Sequence, residues 1–339
     1  MTIFRSIFAC AVVLAATLMV VAGQPTAQTA SPLQLEAKIP LGKVKGRIDH
    51  LAIDVARRRL FVAALGNDSV EVVGLASRTV VQTISELAEP QGVAFVPAID
   101  TLFVANARDG SVRLFRGQDY ASTGRIDLGT DADNIRVDAS TSRLFIGYGD
   151  GALAVIDANS RMKIADIPLK VHPESFQLDR NSNRIFINLP RLQSIAVVDS
   201  LTGREQAIWP MPDAKGNFPM ALDDKAGRLL VAFRDPAKLG VFSMTDGALL
   251  ALLDSCGDAD DLFADAARGR IYVSCGDGYL DVFSAQAGAY TRTAHIATAA
   301  GARTSLYVPE LDRLFLAVRE GPDEAAAVWQ FRPTPGKPD

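Results

Sequence analysis

A basic or polar residue followed by three strongly β-forming apolar residues recurs seven times along this chain. The copies are Arg59-Leu60-Phe61-Val62, Thr101-Leu102-Phe103-Val104, Arg143-Leu144-Phe145-Ile146, Arg184-Ile185-Phe186-Ile187, Arg228-Leu229-Leu230-Val231, Arg270-Ile271-Tyr272-Val273 and Arg313-Leu314-Phe315-Leu316. They lie 42, 42, 41, 44, 42 and 43 residues apart, a regularity that marks a structural repeat. An apolar run precedes each copy and in five repeats ends in Asp (Asp54, Asp138, Asp179, Asp223, Asp265), five residues before the Arg. A turn follows, often Asp-Gly, as at Asp109-Gly110, Asp150-Gly151 and Asp277-Gly278. Such turns favour left-handed backbone and join antiparallel strands tightly. A third apolar strand comes next, such as Ser69-Val70-Glu71-Val72-Val73, and then a more polar fourth, such as Lys163-Ile164-Ala165-Asp166-Ile167-Pro168-Leu169. Four short strands per repeat with no helical period predict a propeller blade, and seven repeats predict an all-β, seven-bladed β-propeller of four-stranded antiparallel blades.

The ends of the pattern predict how the ring closes. The seventh repeat has strands near 305–308, 313–318 and 326–331 and then runs out before a fourth. Residues 35–41, Leu-Glu-Ala-Lys-Ile-Pro-Leu, read like the fourth strand of the third repeat. They are expected to complete the last blade and remove the open sheet edges. The propeller then spans 33–332 as one domain, with a linker at 24–32 and a disordered tail at 333–339.

The first 23 residues differ in kind. One cation, Arg5, precedes an apolar run from Ile7 to Val21 that ends in Ala22-Gly23. This pattern predicts a secretory signal cleaved after Ala22 or Gly23, with an uncleaved anchor as the alternative. No later segment is apolar enough to span a bilayer, so the mature chain is expected to be periplasmic or secreted. It retains 34 basic residues against 39 acidic once Arg5 is removed from the 35 present, a net charge of about −5. An acidic chain without a basic groove lined by stacking aromatics argues against nucleic acid as a partner. Processing removes Cys10 and leaves Cys256 and Cys275, which flank the first two strands of the sixth repeat. A disulfide is expected in an oxidising compartment, with two structural thiols as the alternative.

In a propeller the loops entering each innermost strand ring one mouth of the central channel. In register these are Arg47-Ile48-Asp49-His50, Glu89-Pro90-Gln91-Gly92, Asp131-Ala132-Asp133-Asn134, His172-Pro173-Glu174-Ser175, Gly216-Asn217-Phe218-Pro219, Asp258-Ala259-Asp260-Asp261 and Gly301-Ala302-Arg303-Thr304. They bring two of the three histidines together with a cluster of acids. Candidate ligand-binding residues are therefore Asp49, His50, Gln91, Asp133, Asn134, His172, Glu174, Asp260, Asp261 and Arg303. The competing reading is that these polar groups are solvated or cap backbone amides. A metal is unspecified: Asp131/Asp133 and Asp258/Asp260 lack the spacing of a calcium loop, and the chain has no His-Glu-x-x-His. No Gly-x-Ser-x-Gly nucleophile motif occurs, and the Gly-Asp-Gly triplets at 149–151 and 276–278 are hairpin turns by register. No catalytic residue and no cofactor is assigned. His295 and the acidic tail read as surface, and Trp209 and Trp329 as packing near blade edges.

The Arg-Leu-Phe-Val strands, the period near 42 and the signal segment resemble the bacterial YncE-like, YVTN-repeat β-propellers. The signature strand stands here in variants such as Leu102-Phe103-Val104-Ala105-Asn106 and Ile271-Tyr272-Val273-Ser274. The resemblance covers essentially the whole mature chain. It implies a periplasmic or surface binding protein, generally without known catalysis; single-stranded DNA binding is attributed to some relatives. The chain is expected to be a monomer that binds a protein or a small molecule at the channel mouth. Similar rings serve as lactonases and as heavy subunits of amine dehydrogenases. A metal-assisted hydrolase at the channel mouth and a non-catalytic subunit of a redox complex are thus the alternatives.

Overall fold

Every second strand of the repeat is buried along nearly its whole length rather than on alternate residues. Leu60, Phe61 and Val62 are fully buried in Arg59–Ala64, and the equivalent strands Thr101–Asn106, Arg143–Tyr148, Arg184–Leu189, Arg228–Asp235, Arg270–Cys275 and Arg313–Val318 follow the same pattern. Both faces of such a strand must therefore be covered, which happens when blades stack face to face. The computed structural model describes residues 1–2, 31–211, 213–286, 288–322 and 324–336. The chain divides into two units, Met1–Ala30 and Ser31–Asp339. The signal expected at 1–23 and most of the linker expected at 24–32 fall outside the described residues, apart from residues 1–2 and 31–32. Among the described residues no helix is long and apolar enough to cross a membrane.

The second unit is a seven-bladed β-propeller of four-stranded antiparallel sheets. Six blades follow chain order from the innermost strand outwards. The innermost strands are Leu51–Asp54, Pro90–Val96, Ile135–Asp138, Phe176–Asp179, Lys215–Asp223, Ala259–Asp265 and Ser305–Val308. Each touches the next around the axis, and the last touches the first. The seventh sheet is built as predicted, with Leu33–Pro40 added antiparallel to Ala327–Pro333 as its outermost strand. A bulge between Leu35 and Ala37 places Glu36 so that its carboxylate accepts from Arg313 Nε (2.6 Å), Arg313 Nη2 (3.0 Å) and Gln330 Nε2 (2.8 Å).

The repeat's Asp residues hold the first turn of the blade. Asp54 accepts from the Arg57 backbone N–H, Asp138 from Ser140, and Asp179 from Asn181 and the Arg184 guanidinium. At 149–151 the left-handed residue is Gly149 (φ 58), not the Gly of Asp150-Gly151. Gly151 is needed for another reason: a Cβ there would lie 2.5 Å from the Leu169 carbonyl oxygen.

Two expectations are corrected. The tail expected from Pro333 begins inside the fold, because Pro333 ends the last strand and the Thr334 N–H donates to the Pro32 carbonyl (2.9 Å). Arg270 also donates to the Thr334 carbonyl (2.7 Å). Trp329 is not at an edge, since the N-terminal strand covers it and the Lys38 ammonium sits 3.9 Å from its ring centre. His295 is exposed on the outer strand Ala289–Ala297, as expected, and its Nδ1 bonds Asp281, a fully buried carboxylate that also accepts from Arg292 and from the Cys256 N–H.

Candidate functional site

Blades two, five and six start their innermost strands early and carry bulges, between Pro90 and Val93, Asn217 and Met220, and Ala259 and Asp261. An added residue resets which side chains face the axis, and each of these bulges lies at the channel mouth. Gly92 has no room for a side chain, because a Cβ would stand 2.0 Å from the Asp133 carbonyl oxygen of the neighbouring blade. That contact locks blade two against the acidic segment of blade three.

The mouth forms a cup of about 290 Å³. Nine of the ten candidate residues line it: Asp49 and His50 from blade one, Gln91 from blade two, Asp133 and Asn134 from blade three, His172 and Glu174 from blade four, Asp260 from blade six and Arg303 from blade seven. The tenth, Asp261, faces the channel below, a second cavity of about 580 Å³ walled by the innermost strands. Asp260 is the extra residue of the bulge, without a ladder partner, whereas Asp261 pairs with Ser274. Asp261 accepts from the Ser305 N–H (2.7 Å), and His50 borders both cavities.

Sequence reasoning passed over two arginines. Arg234, near the end of the lengthened second strand of blade five, reaches the cup and stacks on Phe218, 3.8 Å from its ring centre. Its signal was the strand itself, eight residues where most of its counterparts have six. Arg136, one residue into an innermost strand, lies beneath the cup, donating to the Ile135 carbonyl and to Ser175 Oγ and lying 5.6 Å from the Phe176 ring centre.

The cup's two walls differ in charge balance. On the side of blades five to seven, Arg234 donates to Asp260 (2.6 Å) and lies 3.3 Å from Asp258, while Arg303 bonds Asp258 (2.8 and 2.9 Å) and Asp260 (2.9 Å). Arg47 likewise engages Asp49 (2.7 Å). On the side of blades three and four the acids have no such partner. The side chains of Asp133 and Glu174 make no hydrogen bond or ion pair among the described residues, and the buried Asp133 Oδ1 and Asn134 Oδ1 have no partner at all. His172 donates from Nδ1 to the Gly149 carbonyl (2.6 Å), which can only accept, and stands 3.5 Å from Asp131.

Burial and like charge set the protonation of this wall. Burial pushes Asp133 up to about 6, with Asp49 and Asp131 adding to the rise against His50 and His172. Burial, then Asp133 and Asp260, push Glu174 up to about 7 against His172 and Arg234. Asp261 is pushed to about 7 by burial and Asp260, opposed by His50, the Ser305 N–H and Arg136. Burial opposes protonation of His50, but Asp49, Asp261 and Asp133 outweigh it and raise its pKa. Ser175, the hydroxyl on the cup lining, is hydrogen-bonded to Arg136 and to no base.

Cys256 and Cys275 form a disulfide, as expected, with a Cα separation of 5.8 Å. It ties the segment carrying Asp258, Asp260 and Asp261 to the end of the second strand of blade six. Closing a loop of this length contributes about 3 kcal/mol. Replacing both cysteines by Ala is expected to lower the unfolding free energy by about that much in urea melts, and reductant should produce the same shift in the wild type only.

No family model matches the chain, and no curated protein matches it in sequence. Among solved structures it is similar to a chain of the Kuenenia stuttgartiensis hydrazine synthase, with a TM-score of 0.72 and 14% identity over 83% of this chain and 98% of that one. It is also similar to a chain of the mitotic checkpoint complex, with a TM-score of 0.74 and 14% identity over 95% of this chain and 98% of that one. At this identity the likeness concerns the fold alone: this chain and these neighbours share a β-propeller.

Proposed function

We propose that this chain is an exported, non-enzymatic binding propeller of the YncE-like kind, monomeric, which holds a small polar ligand in the cup at its channel mouth. The observation that carries this reading is the pair of buried oxygens, Asp133 Oδ1 and Asn134 Oδ1, that line the cup without a hydrogen-bond partner. Leaving buried acceptors unpaired costs about 1–3 kcal/mol each, and ligand sites are where folds sustain such costs. The disulfide supports an oxidising compartment. The hydrolase alternative has less support, because a bound metal needs its donors within roughly 2–2.6 Å of one point. Among the described residues the only trio of His, Cys, Asp or Glu ligand atoms gathered within 4.8 Å is Cys256, Cys275 and Asp277, whose sulfurs are joined to each other.

Thermal melts of the purified protein against cationic, anionic, zwitterionic and neutral small molecules test the reading. One class is expected to raise Tm by several degrees, since a hundredfold excess over Kd stabilises by about 2.7 kcal/mol. Gln91→Trp, which fills the cup, should abolish the shift. No shift with any class, or a shift that survives Gln91→Trp, rejects the cup as a binding site. The N-terminal residue of protein taken from an exported fraction checks the export half, with Gly23 or Gln24 expected.

A further inference from the structure

The buried cup oxygens that lack a hydrogen-bond partner, Asp133 Oδ1 and Asn134 Oδ1, are both acceptors. Asp133 and Asn134 are more than nine-tenths buried, and together with Glu174 they present acceptor oxygens to the cup and no engaged donor. The cup's guanidinium groups, Arg47, Arg234 and Arg303, are already held by Asp49, Asp258 and Asp260. An anionic ligand would have to displace those carboxylates. A neutral ligand would satisfy the lone pairs but do nothing to offset the repulsion between Asp133 and Glu174 as they ionise, since Asp133 is close enough to Glu174 to disfavour its ionisation. A bare metal ion needs donors gathered round a single point, and the cup's acids and histidines are not so gathered.

We infer that the ligand of the cup is a small organic cation bearing N–H donors, an ammonium or guanidinium group, held by Asp133, Asn134 and Glu174. The inference rests on the reading of the cup as a ligand site. Donors spread over a nitrogen or a guanidinium plane reach acceptors that no single ion could bridge, and the positive charge offsets the two acids. The walls around the two acids supply the competing charges: Asp49, His50, Asp131, His172, Arg234 and Asp260. The ligand must displace the protons that the acids hold near neutrality, so its affinity falls as pH drops through about 7.

Calorimetry on the purified full-length protein at pH 8 gives the test, with agmatine and 1,4-diaminobutane as probes. Both are expected to bind at least about tenfold more tightly than tetramethylammonium, which has the charge but no N–H, since losing a charge-assisted hydrogen bond is worth about 1.5–3 kcal/mol. Glu174→Gln and Asp133→Asn, near-isosteric changes whose folding is checked by circular dichroism, should each weaken binding about tenfold or more. Wild-type affinity should fall about tenfold or more between pH 8 and pH 6. Tighter binding of succinate, 1,4-butanediol or Ca²⁺, or amine binding that both variants leave unchanged, overturns the inference. If such a competing probe loses binding in Gln91→Trp, the cup survives as a ligand site for another chemistry. Failure of every probe overturns both readings.

Discussion

Removing residues 1–41 is expected to open the ring and leave a protein that unfolds at much lower urea concentration and aggregates at neutral pH. Leu33, Ile39 and Leu41 are buried to within a few percent, and each contributes about 1.5–3 kcal/mol of apolar burial. The deletion also strips Glu36 from Arg313 and Gln330, and the Leu41 N–H from the Ala326 carbonyl. More damaging is the row of backbone groups on Ala327–Pro333 left without a partner, an exposed edge that invites pairing with another chain. A single substitution separates packing from edge protection. Ile39→Asp keeps the strand but buries a charge among Val44, Leu60, Phe315 and Val328, at a cost of about 4 kcal/mol or more. The Trp329 emission reports both, because Lys38 lies over that ring. A truncated chain that remains monomeric with the wild-type urea midpoint would falsify the latch.

The second large effect concerns pH, and it runs against the usual trend. Glu174, Asp261 and Asp133 have folded pKa values raised to about 7, 7 and 6. Between the unfolded carboxylate values near 4 and these folded values, the native state binds more protons than the unfolded chain. Stability therefore falls as pH rises through that window. The raised pKa of His50 acts in the same sense: its contribution is full below the unfolded histidine value and is lost as pH rises through the folded one. The outer acids held low by partners, such as Asp68 beside Arg108 and Asp254 beside Lys238, oppose this only where unfolded carboxylates begin to protonate, below about pH 5. The urea midpoint should thus be higher at pH 5.5 than at pH 8, by the equivalent of about 1–3 kcal/mol. Glu174→Gln should recover part of the difference at pH 8 and gain nothing at pH 5.5. A midpoint that rises steadily from pH 5.5 to 8 contradicts the charge assignment of the mouth.

Both predictions meet at the same trade-off. The ring is sealed by ordinary burial, whereas the mouth concentrates groups that lower stability at neutral pH, as recognition sites commonly do.

Much of the architecture was legible in the chain because a repeat carries its own internal control. Seven copies of one strand, spaced near 42 residues, identify the blade, and the missing fourth strand of the last copy points to 35–41 as its replacement. Register then located the mouth, since blades stacked about one axis bring equivalent loops to one face; nine of the ten chosen side chains line the cup for that reason. The cysteine pair could be matched because both positions flank adjacent strands of one blade. Three-dimensional packing alone decided the rest. A single-residue bulge leaves one residue out of the ladder, Asp260 at the mouth and Glu36 beside Arg313. Arg234 and the Asp281–His295 pair depend on where long side chains end rather than where their backbones lie. The charge balance of the cup emerged last, because whether an acid is paired depends on neighbours contributed by blades far apart in sequence. Asp260 is claimed by arginines of blades five and seven, while the buried Asp133 Oδ1 has no partner. Local pattern thus determined the blades and the ring, and tertiary contact decided the charge balance of the mouth.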